Sequence, residues 1–452
     1  MERRVVLLIA TLTSFMTPFM ASSINIALPA IATEFSIDAV LLTWVATSFI
    51  LPAAVLLLPF GRLGDISGRK RVFGWGTGFY AAGSLLCGLA PSTAFLIAFR
   101  VLQGISAAMI FSTGMAILTS VYPARERGRV LGFNVAAVYL GQSLGPSLGG
   151  LMTHHLGWRS LFFTSATLGV LITGLVLRHL QGEWAEARGE RFDLVGTVIY
   201  SAALTCAMYG LSWLPAATGG WLVLAGLLGL PAFMAWEMRV RHPVLQIRLF
   251  TENAVFAFSN LAALINYSAT FAVTFLLSLY LQYIKGMSPQ GAGLILVAQP
   301  LIMSIISPLA GRLSDRIEPR TVASIGMAFT AMALCLLIFL DGQTGVAFIV
   351  TCLLLNGFGF ALFSSPNTNA VMSSVDRRVY GVASATIGTM RLTGQILSMG
   401  IATVLFAIYI GRVQISSAHF PLFLKSARVA FSIFAAMSLG GIFASLARGK
   451  LR

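Results

Sequence analysis

The chain has 452 residues, of which 57% are hydrophobic and only 10% are charged, with a mean hydropathy of +0.86 and a formal net charge of +15. Because soluble globular domains carry roughly 25% charged residues, this composition excludes a protein whose surface is covered mainly by water. A lipid bilayer is therefore predicted to be its main solvent, and the fold class is predicted to be an all-α membrane protein.

A transmembrane helix needs about 20 mostly apolar residues. The first apolar run follows Arg3 and Arg4 and contains Ala30-Ile-Ala32, as a cleaved signal peptide does, but it is far longer than the roughly 7–15 apolar residues of such a signal. We interpret it as an uncleaved span. In all, fourteen spans are predicted, at residues 5–32, 40–60, 72–91, 94–120, 129–153, 159–178, 194–213, 221–236, 255–283, 290–310, 321–340, 345–371, 380–410 and 428–447.

Lysine and arginine are distributed unevenly between the predicted loops. With the N-terminus placed in the cytoplasm, cytoplasmic segments contain 23 of them and outer segments contain 5, while Arg100 and Arg391 fall inside spans. This asymmetry follows the positive-inside rule and predicts that both termini are cytoplasmic. It also accounts for the basic excess without a nucleic-acid partner.

An internal repeat relates the two ends of the chain. The pentapeptide Gly-Arg-Leu-x-Asp occurs at Gly61–Asp65 and again at Gly311–Asp315, each time in a basic loop between apolar runs. Gln103-Gly104 and Asn356-Gly357 match at an offset of 253 residues, and Gly141-Gln142 and Gly394-Gln395 match at the same offset. Parallel repeats of six spans are a signature of secondary transporters.

The repeat predicts three units along the chain. Residues 1–180 form an N-terminal six-helix bundle, and residues 251–452 form a C-terminal six-helix bundle. Spans 7 and 8 have no counterpart in the repeat, so residues 181–250 are predicted to be an inserted helical hairpin with its linkers.

Four sequence motifs resemble those of the major facilitator superfamily, and specifically its fourteen-span drug:H+ antiporter family. They are Asn25-Ile-Ala-Leu-Pro29, Gly61-Arg-Leu-Gly-Asp-Ile-Ser-Gly-Arg-Lys-Arg71, Arg100-Val-Leu-Gln-Gly104 and Gly141-Gln-Ser-Leu-Gly-Pro-Ser-Leu-Gly-Gly150. The last is similar to a fifth-span signature that is associated with exporters. The resemblance covers nearly the whole chain and implies two bundles that alternate access to a central site, with a location in the bacterial inner membrane.

Two groups of residues are candidates for gating. The resemblance implies that the loop after span 2 latches the bundles, with a second copy after span 10, and these loops contribute Gly61, Arg62, Asp65, Gly68, Arg69, Arg71, Gly311, Arg312 and Asp315. In span 5, Gly141, Gly145 and Gly149 recur every four residues, which lets another helix approach closely, and Pro146 favours a kink. Plain helix packing is the alternative for this stripe.

Ionisable and amide side chains inside spans are candidates for contact with substrate or a coupling ion. Arg100 and Arg391 lie within spans, where charges are costly and default to functional hypotheses, although each could instead be a structural residue. The candidates are Asn25, Glu34, Arg100, Gln103, Gln142, Asn356, Arg391 and Gln395.

The distribution of carboxylates departs from the family pattern. The family has an Asp five residues before Asn25, and this chain has Met20 there. All fifteen acidic residues fall in predicted loops or at helix ends, so Glu34 is the best remaining candidate for carrying a proton. Arginines without a nearby carboxylate disfavour cations, so a neutral, zwitterionic or anionic substrate is predicted.

The sequence favours a secondary active exporter of small amphipathic compounds, with proton coupling left open. A transporter of an anionic metabolite or lipid is the alternative, and a non-transporting receptor or scaffold is a third. No nucleophile–base set or metal cluster can be assembled within the spans, so neither an enzyme nor a cofactor or metal site is expected. The partners expected are the bilayer and a small molecule, for a monomeric protein.

Overall fold

The structure is a computed structural model that describes residues 3–314, 316–375 and 380–449, with only the backbone for part of the 124–131 segment and for 380–381. Asp315, one of the predicted gating residues, lies outside the described residues. The first eight helices are α1 (Arg3–Phe35), α2 (Ala39–Ser67), α3 (Arg69–Gly88), α4 (Thr93–Val121), α5 (Ala124–Leu156), α6 (Arg159–His179), α7 (Leu194–Trp213) and α8 (Ala217–Glu237).

Eight more helices follow, and the regular structure of the described residues is helical throughout. They are α9 (Arg248–Glu252), α10 (Ala254–Leu279), α11 (Pro289–Leu296), α12 (Ala298–Ser314), α13 (Pro319–Leu337), α14 (Val346–Ser373), α15 (Tyr380–Tyr409) and α16 (Phe420–Ala447). A π-helical turn, Tyr280–Ile284, extends α10, and α11 and α12 follow each other as one interrupted rod. The all-α class predicted from composition is thus confirmed.

Twelve helical segments of the described residues are long and apolar enough to cross a membrane. Helices α3 and α5 fall outside this group even though they have 20 and 33 residues. Both begin with a cluster of basic residues and are rich in glycine, which lowers their mean hydropathy. The span count of fourteen predicted from the sequence therefore stays a prediction.

Polar caps explain where several helices begin. Asp38 accepts a hydrogen bond from the Leu41 amide at 2.8 Å, and Asn253 accepts one from the Phe256 amide at 2.9 Å. Such caps satisfy amides that have no partner in the first turn of a helix. Between α2 and α3 the chain turns at Gly68, whose φ of 117° is a conformation that side chains rarely adopt. This turn explains the glycine in the basic motif.

The helices pack in two sets with a hairpin between them. In the N-terminal set, α1 packs on α5, α2 packs on α4, and α3 packs on α4 and α6. In the C-terminal set, α10 packs on α15 and α16, while α14 packs on α12 and α13. Helices α7 and α8 pack mainly on each other, and α7 also contacts α2 and α15.

Contacts between helix ends show which ends share a side of the molecule. The Tyr122 hydroxyl, after α4, donates to the Arg3 carbonyl at 2.7 Å, and Arg448, after α16, donates to Asn367 near the end of α14 at 3.0 Å. Helices α2 and α15 run antiparallel, so the end of α2 and the start of α15 lie on the same side. We call this side, where α1 begins and α16 ends, the termini side, and the other the opposite side.

The two sets meet most closely toward the opposite side. Hydrogen bonds join Ser278 to the Asn25 carbonyl (2.6 Å), Gln282 to the Ile26 carbonyl (3.1 Å), Thr403 to Thr43 (2.8 Å) and the Ala39 amide to the Val413 carbonyl (3.0 Å). One further hydrogen bond, between the Ser143 and Ser304 hydroxyls at 3.4 Å, lies near the middle of α5 and α12. The sets are therefore sealed together on the opposite side.

Candidate functional site

Arg391 lies between the two helix sets. It is half-buried on α15, and its guanidinium carbon is 5.9 Å from the centre of the Phe111 ring on α4. Tyr267 of α10 interacts electrostatically with Arg391 and with Tyr139 of α5, so four helices converge here. A guanidinium beside aromatic faces can bind a planar or anionic group. The predicted candidate Arg391 therefore lies where a substrate between the sets would contact it.

Aromatic and polar neighbours extend this cluster. Tyr267 packs edge-on against Phe360 with ring centres 5.3 Å apart. Gln395 follows Arg391 by one helical turn and is half-buried, as is Gln142 on α5. Gln142 is adjacent to Ser143, which makes the hydroxyl contact with Ser304 described above. We call Arg391, Phe111, Tyr139 and Tyr267 the central cluster.

Arg100 has a different environment from Arg391. It is 1% exposed, its Nε donates to the Val45 carbonyl at 3.1 Å, and its Nη1 donates to Gln103 Oε1 at 2.7 Å. Gln103 Nε2 in turn donates to Ser84 at 2.8 Å, and the guanidinium lies 4.7 Å from the centre of the Phe49 ring. These contacts join α4 to α2 and α3 within the N-terminal set. They account for a charge in this position without a substrate.

The basic motif after α2 is tied to the linker that precedes the hairpin. Arg69 donates from Nε to Asp65 at 2.8 Å and from Nη1 to Ser120 at 2.9 Å and to Glu186 at 2.8 Å. A side chain at Gly68 would collide with Glu183. Within the basic motif, Asp65 is therefore paired with Arg69.

A second contact of the same linker involves Arg62. It forms an ion pair with Glu190, which also lies 2.7 Å from His242 in the loop after α8. The hydrogen bond from Arg62 holds the pKa of the Glu190 carboxyl below its usual range, so this contact is present at neutral pH and is lost as the pH falls through that lowered pKa. Arg71 is exposed. Sequence reasoning missed Glu183, Glu186 and Glu190, because they lie more than 100 residues from the motif.

The C-terminal copy of the motif is only partly described. Gly311 is close enough to α14 that a side chain there would lie 2.9 Å from the Ser365 hydroxyl. Arg312 is exposed. Asn356, the repeat partner of Gln103, is fully buried on α14, and its amide atoms have no hydrogen-bond partner among the described residues. Asn356 lies one helical turn before Phe360, which packs against Tyr267 of the central cluster.

The glycine stripe of α5 faces α1. Side chains at Gly141 and Gly145 would collide with the Phe15 carbonyl and the Ser22 hydroxyl, and one at Gly149 would lie 2.6 Å from Ser23 Cβ. Ser23 donates to the Gly145 carbonyl at 2.9 Å. The close helix approach predicted from the spacing is thus present in the described structure.

Beyond the stripe, α5 also meets the C-terminal set. A side chain at Gly293 of α11 would collide with the Pro146 carbonyl, and one at Gly150 would lie 2.5 Å from the Pro289 carbonyl. The α5–α11 contact is therefore a backbone-to-backbone approach across the two sets, on the opposite side. The sequence predicts a kink at Pro146. It does not predict that the Pro146 carbonyl lies against α11 in this seal.

Met20, Asn25 and Glu34, in and around the Asn25–Pro29 motif of α1, are the residues that matter for proton coupling. Met20 is fully buried and accepts a contact from Ser165 at 3.4 Å, so the position of the family's carboxylate is packed inside the N-terminal set. Asn25 is 5% exposed, and its carbonyl belongs to the seal. Glu34 lies at the end of α1, where Arg159 and the Trp158 indole donate to it at 2.6 and 2.7 Å.

The described residues contain no group of three or more metal-ligating side chains. A cleft of about 510 Å³ lies at the turn of the hairpin on the opposite side and is lined by Trp213, Leu214, Ala407 and Arg412 among others. This cleft is remote from the central cluster, and it opens to the surroundings of the protein. We therefore place the candidate site at the central cluster, on the convergence of helices from both sets.

Comparison with solved structures shows the fold. A peptide transporter crystallised with sulfate has 13% sequence identity and a TM-score of 0.73, with 98% of this chain and 94% of that chain covered. A bacterial homologue of the human lysosomal transporter Spinster, in an inward-facing and occupied conformation, has 16% identity and a TM-score of 0.68, with 99% and 96% covered.

Comparison with curated sequences gives relatives of similar length. The riboflavin transporter RibZ of Clostridioides difficile is 28% identical, with 90% of this chain and 88% of the relative covered. The multidrug resistance protein Stp of Mycobacterium tuberculosis is 31% identical over 87% of this chain and 74% of the relative. The cephamycin export protein CmcT of Amycolatopsis lactamdurans is 33% identical over 86% of this chain and 82% of the relative.

A model of the Major Facilitator Superfamily matches residues 10–399 and 259–451, which together cover nearly the whole chain. The chain belongs to the Major Facilitator Superfamily.

Proposed function

We propose that this protein is a secondary active exporter of small amphipathic compounds that works by alternating access. The observation that carries the proposal is the arrangement of the two helix sets, which are sealed on the opposite side and surround the central cluster of Arg391, Phe111, Tyr139 and Tyr267. A site between two rigid halves that meet at one end is suited to exposure on either side of a bilayer. The relatives named for multidrug resistance and cephamycin export support this direction of transport.

We propose a topology of fourteen spans, in which α3 and α5 also cross the membrane. Helix α3 packs along α4 and α6, and α5 packs along α1, and all three of these neighbours are apolar enough to span. The proposed units are residues 1–180, the hairpin unit 181–250 and residues 251–452. The termini side is proposed to face the cytoplasm, at the inner membrane of a bacterium, and the concentration of basic residues on that side supports this orientation. The conformation described is then closed to the outside, and the protein acts as a monomer.

The substrate is proposed to be neutral, zwitterionic or anionic. Arg391 supplies a positive charge to the central cluster. The other members of the cluster are aromatic and supply no carboxylate that could bind a cation. This half-buried guanidinium repels cations, because charges inside the protein are screened less than charges at its surface. An anionic metabolite or lipid is the second candidate, and the same guanidinium favours it.

The test is a flux assay with purified protein in liposomes that contain a pH-sensitive dye. We expect an anionic or neutral aromatic compound to be transported at least about tenfold faster than a lipophilic cation of similar size, because one unfavourable charge contact of about 1.4 kcal/mol corresponds to tenfold. Faster transport of the cation would contradict the proposed substrate class. Transport of lipids or metabolites but not of drug-like compounds would favour the second candidate.

If transport is coupled to protons, we propose that Glu34 carries the proton. The family's carboxylate is replaced here by Met20, and Glu34 at the end of α1 is the remaining candidate. The same liposomes report it, because substrate-dependent alkalinisation that disappears in Glu34→Gln assigns the proton to this residue. Arg159 and Trp158 already bind the Glu34 carboxylate, so a cycle through Glu34 has to break these two contacts. Proton flux that survives Glu34→Gln excludes the role.

A further inference from the structure

Two carboxyl groups meet at the base of the inserted hairpin. Asp193 is the residue before α7 and Glu237 is the last residue of α8, and they are 8% and 3% exposed. A side chain at Gly196 would collide with both Asp193 Oδ2 and Glu237 Oε1, so these two oxygens flank the same point. All fifteen acidic residues were expected at helix ends or in loops, and these two are there, but they are buried against each other.

Hydrogen-bond donors reach three of the four carboxyl oxygens of this pair. Asp193 accepts from the Gly196 amide at 2.9 Å and from the Trp236 indole at 3.1 Å. Glu237 accepts from the Leu245 amide through Oε2 at 2.9 Å, and the Val244 amide also interacts with this carboxyl. Glu237 Oε1 is buried and has no donor among the described residues, although it faces Asp193. Glu237 Oε1 can form a hydrogen bond with the Asp193 carboxylate only if one of the two oxygens carries a proton.

The positions of the two residues on their helices favour Glu237 as the member of the pair that holds a proton. Asp193 caps the N-terminus of α7, where the helix dipole and two N–H donors stabilise a negative charge. Glu237 ends α8, where the dipole disfavours a negative charge. Two carboxylates in contact cannot both ionise without a large cost, so such a pair binds one proton between them.

We propose that Asp193 and Glu237 form a proton-binding site, in which Glu237 Oε1 carries the proton and donates it to the Asp193 carboxylate. The proton closes the hairpin base, because it links the start of α7 to the end of α8 and leaves Glu237 Oε2 free to bind the Leu245 amide in the following loop. Loss of the proton leaves two adjacent negative charges and pushes the base apart. This site does not depend on the proposed transport function.

Several other charged groups near the hairpin base are paired with one another. Glu190 is paired with Arg62 and His242, and Asp65 is paired with Arg69. Helix α7 contacts α2 and α15 through neutral groups, since Tyr200 donates to the Ala54 carbonyl at 3.4 Å and bonds Thr393. The charged or titratable side chains on the elements around the pair are Arg62 and Asp65 on α2, Tyr200, Cys206 and Tyr209 on α7, Arg391 and Tyr409 on α15, and Glu183, Glu186, Arg188, Glu190, Arg191, Arg239, Arg241 and His242 in the flanking loops.

The site is tested by infrared difference spectroscopy of the purified protein at neutral pH. We expect the C=O stretch of one protonated carboxyl group in the wild type and its loss in Glu237→Gln, because the amide keeps an N–H donor toward Asp193 but carries no titratable proton. Thermal unfolding gives a second readout. The unfolding temperature of the wild type is expected to fall as the pH rises from about 5 to about 8, because over this range the unfolded carboxyl is ionised while the folded pair still binds its proton, and that of Glu237→Gln is expected to stay level.

The matched control is Glu252→Gln, which changes an exposed carboxylate on α9 and should behave as the wild type. If Glu237→Gln does not fold, Asp193→Asn gives the same test, since asparagine also caps a helix and also removes the charge repulsion. A wild type without the carboxyl C=O stretch overturns the proposal. A rise in the unfolding temperature when sodium replaces potassium at constant pH also overturns the proposal, because the pair would then bind a metal cation instead of a proton.

Discussion

Replacing Gly293 by leucine is expected to open the opposite side of the protein. A side chain at Gly293 collides with the Pro146 carbonyl of the other helix set, and a backbone group cannot rotate away as a side chain can. Overpacking of this kind costs about 1–3 kcal/mol. A cost of that size, present only when the sets are closed, shifts the balance toward the open form roughly 5- to 150-fold.

The shift can be measured by labelling a cysteine placed in the seal. Ser278 is fully buried and donates to the Asn25 carbonyl, so Ser278→Cys should react slowly with a membrane-impermeant maleimide when the seal is closed. We expect Gly293→Leu to raise the labelling rate by at least about fivefold and to slow transport. Gly440→Leu is the matched control, since nothing lies within 4 Å of a side chain at that glycine. A folded Gly293→Leu protein with an unchanged labelling rate contradicts the assignment of α5–α11 as a seal.

Replacing Arg391 by glutamine is expected to change which substrates bind. A hydrogen bond to a charged group contributes about 1.5–3 kcal/mol, so the affinity for an anionic substrate should fall roughly 10- to 100-fold. Binding of a lipophilic cation should improve, because the repulsive charge is gone. Arg391→Lys should retain part of the anion affinity, since it keeps the charge but not the planar group that packs beside Phe111.

Two other arginines separate selectivity from stability in this experiment. Arg412 is exposed and lies 5.0 Å from the Trp213 ring at the hairpin turn, so Arg412→Gln should leave substrate preference unchanged. Arg100→Gln should lower the yield of folded protein, because it breaks the contacts that join α4 to α2 and α3. Equal loss of anion and cation binding in Arg391→Gln would show that Arg391 acts on the fold and not on the substrate.

The sequence predicts well what depends on spacing along one helix. The repeat of glycine at 141, 145 and 149 predicts the close approach of α1 and α5, and the structure describes that approach. Hydropathy identifies twelve segments of the described residues as long and apolar enough to span, and α3 and α5 fall below that level because their basic starts and glycines lower the average. The sequence alone shows that Met20 replaces the family's carboxylate in α1. Its complete burial agrees with an apolar side chain at this position.

The sequence predicts poorly what depends on contacts between distant residues. Arg100 and Arg391 look alike as charges inside spans, but one is satisfied by its own helix set and the other faces the space between the sets. Glu186 and Glu237 look like ordinary loop and helix-end acids, because nothing local shows that Glu186 binds Arg69 or that Glu237 faces Asp193. Only the packing of the hairpin and its linker reveals these pairs.

The central claim is that the two helix sets alternate between two arrangements around the central cluster. It is tested most directly by measuring distances between spin labels in a cysteine-free background, with one pair on the opposite side (Leu156→Cys and Phe339→Cys) and one on the termini side (Trp75→Cys and Ile325→Cys), all at exposed positions. With a transported substrate and a pH gradient, we expect the first distance to lengthen as the second shortens. Distances that stay single and unchanged under every condition would contradict alternating access.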